Sequence, residues 1–236
     1  MFDGFCDETF EFFMAIRFNN NPAFFHANHD WYERAVRRPA RALAEALAET
    51  VQEIDPLVET RSAKVVSRIN RDVRFSKDKS PYRDYFWLAF RRPGADRKTT
   101  LGLYFDLGAE GASYGMGFYG ENKPLMNALR RRIVASPGEV LPLVQATCGP
   151  FTLMPAAIKR LKVPAFVPEA LAPWYPLKGF YVEREICDFD LIKSPALAGT
   201  VREGLRLLKP LYQYIAALTP EEELVDYFKL SEEERP

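Results

Sequence analysis

The chain of 236 residues contains little histidine and little cysteine. Its two histidines, His26 and His29, stand three positions apart with no further histidine or cysteine beside them, which argues against a metal site and against triad chemistry. Its three cysteines, Cys6, Cys148 and Cys187, are odd in number and far apart, so the sequence indicates neither a disulfide framework nor a structural zinc site. We expect three packed free thiols.

A long apolar run and a net charge are also missing. No stretch of 18 apolar residues occurs, and Asp3 and Asp7 stand where a signal peptide needs basic and then apolar residues. The formal net charge is zero, which argues against a protein that coats DNA or membranes through its overall charge. We therefore expect a soluble cytoplasmic protein with no membrane partner, and the sequence leaves the oligomeric state open.

The chain does have the composition of a globular domain. Its hydrophobic content of 47% and aromatic content of 14% are enough for one sizeable core. Helical patterns stand on both sides of a strand-rich middle with short connections, which favours antiparallel pairing. We predict a single α+β domain with a central, mostly antiparallel sheet flanked by N-terminal and C-terminal helices. Its predicted parts are a helical part at 7–55, a strand-rich middle at 64–120, a helical part at 121–218 and an acidic tail at 219–236.

The strand prediction depends on short runs rich in β-branched and aromatic residues. The predicted strands are 64–75, 85–91, 100–107, 114–119 and 179–187. The glycines Gly115, Gly117 and Gly120 match the spacing of a dinucleotide fingerprint, but they lie on a hairpin strand and not at the first turn of a parallel strand-helix-strand unit. We interpret them as a bare strip that allows close approach by backbone or ligand, and the sequence indicates no cofactor.

Charge is distributed unevenly despite the zero total. Residues 61–100 contain twelve lysines and arginines against four aspartates. Residues 219–236 contain seven acids against Lys229 and Arg235. A chain polarised in this way either folds its acidic tail over its basic middle or presents that middle to a polyanion.

The densest polar run is residues 68–82, here called the basic segment, which reads Arg-Ile-Asn-Arg-Asp-Val-Arg-Phe-Ser-Lys-Asp-Lys-Ser-Pro-Tyr. From Arg71 to Tyr82 it resembles the hallmark run Arg-Asp-x-Arg-Phe-Ser-x-Asp-Lys-x-Pro-Tyr of the DUF2461 family of conserved bacterial and fungal proteins. Weaker matches are the Asn-Asn-Asn turn at 19–21, the aromatic pairs at 24–25 and 31–32, the helix at 125–133 and the Leu-Lys segment at 177–180. The chain departs from the family pattern at His29, where a lysine is expected. The resemblance implies no activity, substrate or cofactor.

Interpreted as a strand, the start of the basic segment places Ile69, Arg71, Val73 and Phe75 on one face. Arg71 would then lie among apolar side chains and need a carboxylate or a bound anion, because its guanidinium cannot lose its charge. Pro81 cannot donate to a sheet, so the residues before it must leave the sheet as a loop.

This loop offers small hydroxyls, backbone amides and two ammonium groups, which suit a phosphate-sized site. Between residues 68 and 83, six cations stand against two carboxylates, so a bound anion is a natural complement. We predict a site that binds, or performs chemistry on, a phosphate-bearing or other small anionic ligand. Its predicted residues are Arg68, Arg71, Asp72, Arg74, Ser76, Lys77, Asp78, Lys79 and Tyr82. The sequence identifies no catalytic residue and leaves open whether the protein is an enzyme.

Two alternatives remain open for the same residues. In the first, the basic segment is a purely structural salt-bridge hub in which Asp72 and Asp78 hold the arginines. In the second, the basic face contacts nucleic acid or another protein. Of the possible partners, nucleic acid is less favoured than a small anion. The aromatic residues that could stack or anchor a partner there are Tyr82, Tyr85, Phe86 and Trp87.

Overall fold

The computed structural model describes residues 1–74, 77–94 and 96–222 of the chain. Among these residues, no helix combines the length and the apolar character that crossing a bilayer requires. The helices are α1 (Asp7–Phe18), α2 (Pro22–Ala27), α3 (His29–Tyr32), a π-helical stretch (Glu33–Arg37), α4 (Arg38–Ile54), α5 (Ser62–Val65), α6 (Lys123–Ala135), α7 (Pro137–Cys148), a 3-10 turn (Glu169–Leu171), α8 (Phe189–Ile192) and α9 (Ala196–Ala216).

The strands form one five-stranded antiparallel sheet, which confirms the predicted α+β class. They are β1 (Tyr85–Arg91), β2 (Gly102–Gly108), β3 (Gly111–Phe118), β4 (Thr152–Ala157) and β5 (Leu177–Ile186), in the spatial order β1-β2-β3-β5-β4. In the last pair, Thr152 lies opposite Glu183. β1 and β4 are therefore the edge strands.

Contacts divide the chain into two compact units. The first contains Met1–Pro93, Leu103–Tyr114 and Glu185–Leu205, and the second contains Gly94–Gly102, Gly115–Arg184 and the residues from Arg206 onward. That the whole chain folds as one domain stays a prediction.

The first unit has a core formed largely by amphipathic helices. The buried side chains of α4 recur at three- and four-residue intervals, from Ala40 through Leu43, Leu47 and Val51 to Ile54, as one apolar stripe requires. The backbone of α4 continues directly from the π-helical stretch at Glu33–Arg37, and Pro39 follows where that stretch ends. The buried face of α4 is thus set by its hydrophobic period.

In the second unit, a close approach of two strands explains the glycines of β3. A Cβ atom on Gly115 would lie 1.8 Å from the carbonyl oxygen of Val182, and one on Gly117 would lie 2.5 Å from that of Phe180. Gly117 also has a φ of +146°, which favours glycine. The β5 backbone therefore packs directly against the side-chain-free strip of β3.

The predicted strand at 64–75 is wrong over its described residues. Ser62–Val65 form the short helix α5, and beyond it only isolated bridges occur, Val66 with Leu88 and Asn70 with Tyr82. Burial still alternates from Ile69 onward, as in a strand. Polar side chains, however, form hydrogen bonds with backbone groups that would pair with a neighbouring strand in a continuous ladder.

Two further expectations also need correction. The stretch at 152–157 forms β4 and was not among the predicted strands. It was missed because a run that contains a proline is compatible with a strand only at a sheet edge. The three cysteines are exposed rather than packed. Cys6 caps α1, Cys148 ends α7 and Cys187 follows β5, so each lies at the end of an element, where side chains meet solvent.

Candidate functional site: the basic segment

Main-chain hydrogen bonds fold the basic segment back on itself. The amide of Arg71 donates to the carbonyl of Pro81 at 2.8 Å, and that of Arg83 donates to the carbonyl of Ile69 at 2.9 Å. Ser67 joins this base to β1 by donating from its amide to the carbonyl of Trp87 at 2.9 Å. The result is a narrow excursion that begins and ends beside an edge strand.

Asn20, in the turn between α1 and α2, holds the C-terminal end of the segment. Its side-chain amide donates to the carbonyl of Tyr82 at 2.9 Å and accepts from the amide of Tyr82 at 3.0 Å. The ring of Phe25 stacks on that of Tyr82 with centroids 4.4 Å apart, and Tyr82 is buried. Tyr82 is therefore an anchor of the segment. No sequence pattern assigns Asn20 this role, although the asparagine turn at 19–21 is part of the family resemblance.

The two carboxylates of the segment brace it from within. Asp72 accepts from the guanidinium of Arg74 at 2.7 and 2.9 Å, and this pairing lowers the pKa of Asp72 to about 2. Asp78 accepts from the amide of Ser80 at 2.9 Å and pairs with Arg71, and these contacts lower its pKa. Both carboxylates are ionised at neutral pH, so neither suits the role of general acid.

Two of the remaining cations bind backbone oxygens. Arg83 donates to the carbonyls of Arg68, at 2.8 Å, and of Asn70, and its guanidinium lies 4.8 Å from the ring of Trp87. Lys79 donates to the carbonyl of Val73 at 2.9 Å.

Arg68 and Lys77 are exposed, and within the described part of the chain neither forms an ion pair. Six cations and two carboxylates leave residues 68–83 with a net charge of four positive. The unpaired positive charge of the segment therefore faces solvent.

Six of the predicted site residues are exposed on this excursion, and Tyr82 is buried: the exposed ones are Arg68, Asp72, Arg74, Lys77, Asp78 and Lys79. Arg74 is 76% exposed, and Lys77 and Lys79 are exposed as well. Arg71 was expected to be largely buried and paired; its side chain is 25% exposed, and it pairs with Asp78. Two grooves within the described residues of the second unit are lined by none of these predicted site residues. Ser76 lies outside the described residues.

The four aromatic residues near the segment divide into two pairs. Tyr82 and Phe86 are buried in the first unit and cannot stack on a partner. Tyr85 and Trp87 share the outer face of β1, with ring centroids 5.9 Å apart. Only this second pair is placed to contact another molecule.

Comparison with known proteins agrees with the hallmark run. A family model described as "Conserved hypothetical protein (DUF2461)" matches residues 8–214. The chain belongs to the DUF2461 family. The match includes the basic segment, Asn20 and the whole sheet of this DUF2461 protein. No curated protein matches the chain. The family description names no activity, so function has to be argued from the geometry.

Proposed function

We propose that the basic segment of this DUF2461 protein binds a phosphate-bearing or other anionic ligand. The observation that carries the proposal is the charge balance of the segment. Asp72 and Asp78 are already paired with arginines of the segment, and four net positive charges remain between residues 68 and 83. An anion from solution would complement them.

The exposure of the segment indicates what kind of anion suits it. An open site provides little of the low-dielectric strengthening that a buried pocket gives to a single ion pair. Several charge contacts must then act together, so a ligand with more than one negative charge, such as pyrophosphate or a nucleotide, is favoured over a monoanion. Arg68 and Lys77 provide direct contacts, and Lys79 and Arg74 lie in the same excursion.

Thermal unfolding with added anions tests the proposal. Pyrophosphate or a nucleotide that binds only the folded state stabilises it, by about 2.7 kcal/mol at 100 times the dissociation constant. A variant with Arg68→Ala and Lys77→Ala should lose the shift in melting temperature. A matched variant with Arg160→Ala and Lys162→Ala removes the same two charge types from exposed positions outside the segment and should keep the shift.

The opposite outcome would identify the structural hub. If no phosphorylated compound shifts the melting temperature of the parent, the paired carboxylates have a purely structural role and the segment binds no such ligand. If both double variants lose the shift equally, the anion binds elsewhere on the protein.

One observation favours a second candidate, a single-stranded nucleic acid. Tyr85 and Trp87 present adjacent rings beside the basic segment, and Arg83 lies over Trp87, as in surfaces that combine stacking with backbone charge. With four net charges engaged, the logarithm of the binding constant should fall against the logarithm of salt concentration with a slope of about −3.

Fluorescence anisotropy with a labelled oligonucleotide measures that slope. Trp87→Ala should weaken oligonucleotide binding about tenfold, since stacking on one aromatic contributes roughly 1–3 kcal/mol. Binding of pyrophosphate should be unchanged in the same variant, which separates the two candidates.

A further inference from the structure

The aromatic pair on the outer face of β1, Tyr85 and Trp87, is tied to the start of the basic segment. Ser67, which directly precedes Arg68, bonds Trp87 twice: its amide donates to the Trp87 carbonyl at 2.9 Å, and its hydroxyl accepts from the Trp87 amide at 3.0 Å. Arg83 forms a second link, because its guanidinium lies 4.8 Å from the ring of Trp87 and donates to the carbonyl of Arg68 at 2.8 Å. The backbone that carries the exposed Arg68 side chain is therefore held beside the aromatic pair.

The space beside the ring of Tyr85 is bordered by a residue without a side chain. Tyr85 is 42% exposed, and Gly108 of the neighbouring strand β2 lies next to it on the same face of the sheet. A Cβ atom on Gly108 would lie 3.5 Å from the Cβ atom of Tyr85 and 3.7 Å from a carboxylate oxygen of Glu110. Any longer side chain at Gly108 would therefore occupy the space beside the tyrosine. With glycine there, bare backbone adjoins an exposed aromatic ring, which suits a planar group that stacks on Tyr85.

A planar group joined to a phosphate matches the two neighbouring features. The positive charge that the basic segment leaves unpaired complements a phosphate, and an exposed aromatic ring complements a nucleobase. We propose, on the basis of the anion site proposed above, that its ligand is a mononucleotide whose base stacks on Tyr85 and whose phosphate binds at Arg68. Because every base has an aromatic face, stacking of this kind discriminates little between bases.

The number of available rings favours one nucleotide over a strand of nucleic acid. Tyr82 and Phe86 are buried, and one face of Trp87 is covered by the guanidinium of Arg83. Tyr85 is the more exposed member of the outer pair. A surface that binds a strand stacks successive bases on several rings, whereas this one offers one well-exposed ring beside one cluster of charge.

Calorimetric titration with adenosine monophosphate and ribose 5-phosphate tests the base site, because both compounds carry the same phosphate and only the first carries a base. In the parent, adenosine monophosphate should bind at least about tenfold more tightly, as stacking on one aromatic ring predicts. Tyr85→Thr removes the ring, keeps a residue suited to a strand, and should make the two affinities equal. Tyr85→Phe keeps the ring and should keep the difference.

Two further variants control for position. Gly108→Val fills the space beside the tyrosine and should also remove the preference for adenosine monophosphate; Gly108 has no positive φ, so its backbone accepts a side chain. Tyr119→Thr removes a tyrosine that is 69% exposed in the second unit and should leave the preference intact. All four variants should bind pyrophosphate as the parent does, because none of them removes a charge of the basic segment.

The pyrophosphate titration separates the two levels of the proposal. If pyrophosphate binds the parent but adenosine monophosphate and ribose 5-phosphate bind equally, the base site is wrong and the anion site stands. The base site is also wrong if Tyr85→Thr and Tyr119→Thr lose the preference equally, or if an oligonucleotide binds far more tightly than adenosine monophosphate. If none of these compounds binds the parent, the anion site is wrong and the base site with it. A preference lost only in Tyr85→Thr and Gly108→Val supports a mononucleotide.

Discussion

Arg130 on α6 and Arg71 in the basic segment show how differently one chain can hold two arginines. Arg130 is fully buried, and its guanidinium donates to the carbonyls of Tyr175, at 2.7 Å, and Leu177, at 2.8 Å, and to the side-chain oxygen of Asn127 at 2.7 Å. Arg71 keeps a quarter of its side-chain exposure and pairs with the half-exposed Asp78. The buried cation begins a run of three arginines on α6, at 130–132, whereas the longer charged run of the basic segment lies at the surface. Charge density along the sequence therefore does not by itself indicate which cation supports the fold.

Of the substitutions that test this comparison, we expect the largest loss in the free energy of unfolding at Arg130. Arg130→Met would leave two buried carbonyls and a buried amide oxygen without this donor, at roughly 1–3 kcal/mol for each group. Allowing for partial relaxation, we expect a loss of about 3–5 kcal/mol in the free energy of unfolding, measured by urea denaturation.

The adjacent arginine is the control for this variant. Arg131 is 53% exposed and pairs with Glu221, so Arg131→Met should cost less than about 1 kcal/mol. Equal losses in the two variants would mean that burial is not what distinguishes these arginines.

A second effect concerns what holds the basic segment. Asn20→Ala removes both hydrogen bonds to the backbone of the buried Tyr82, and we expect a loss of about 2 kcal/mol. Asn19→Ala removes one exposed hydrogen bond, to the carbonyl of Ala15, and should cost less than about 0.5 kcal/mol. Urea denaturation measures both values. A neutral Asn20 variant would show that the segment needs no anchor at this turn.

A smaller effect is expected at Arg71. Arg71→Met breaks an ion pair that is partly exposed on both sides, so the loss should be at most about 1 kcal/mol. The same denaturation experiment decides the matter. A loss as large as that of the Arg130 variant would place Arg71 in the interior and restore the strand that the sequence predicts at 64–75.

The smallest effect is the pH dependence of Asp72. Its pKa in the folded protein, about 2, lies below its ordinary value, because Arg74 stabilises the charged form. The pairing therefore contributes fully above the pKa that Asp72 has in the unfolded chain, about 3.9, and its contribution is lost as the pH falls through about 2. No change from this group is expected between pH 5 and 8.

Carbon NMR titration of the Asp72 carboxyl measures this directly. Its midpoint should rise in an Arg74→Gln variant, which keeps a polar side chain and removes the charge. A parent midpoint near the ordinary value for aspartate would show that the pair does not persist in solution.

Much of the fold was predictable because periodicity reports burial. β1 was predicted at its observed bounds, since its short run is rich in aromatic residues. The stretch at 64–74 failed because alternation of burial does not require a ladder. β4 was missed because its partner, β5, begins twenty residues after β4 ends, and pairing over that distance leaves no local signal.

The charged excursion was predictable in its location and less so in its internal contacts. The hallmark run identified a charged excursion, and the structure shows that its carboxylates pair with Arg71 and Arg74. The roles of Asn20 and Arg130 were not predictable, because both depend on backbone carbonyls and amides contributed by distant residues. Backbone partners have no side-chain signature in a sequence.

The exposure of the three cysteines makes it possible to follow each unit separately. Cys6 and Cys187 belong to the first unit and Cys148 to the second. Partial burial raises the pKa of the Cys148 thiol, so thiol reagents need a more alkaline buffer to reach it through its thiolate. An environment-sensitive dye attached at Cys148 or Cys187, with the other thiols replaced by serine, would give one unfolding curve for each unit. Coincident curves would identify one cooperative domain, and separate midpoints would identify two.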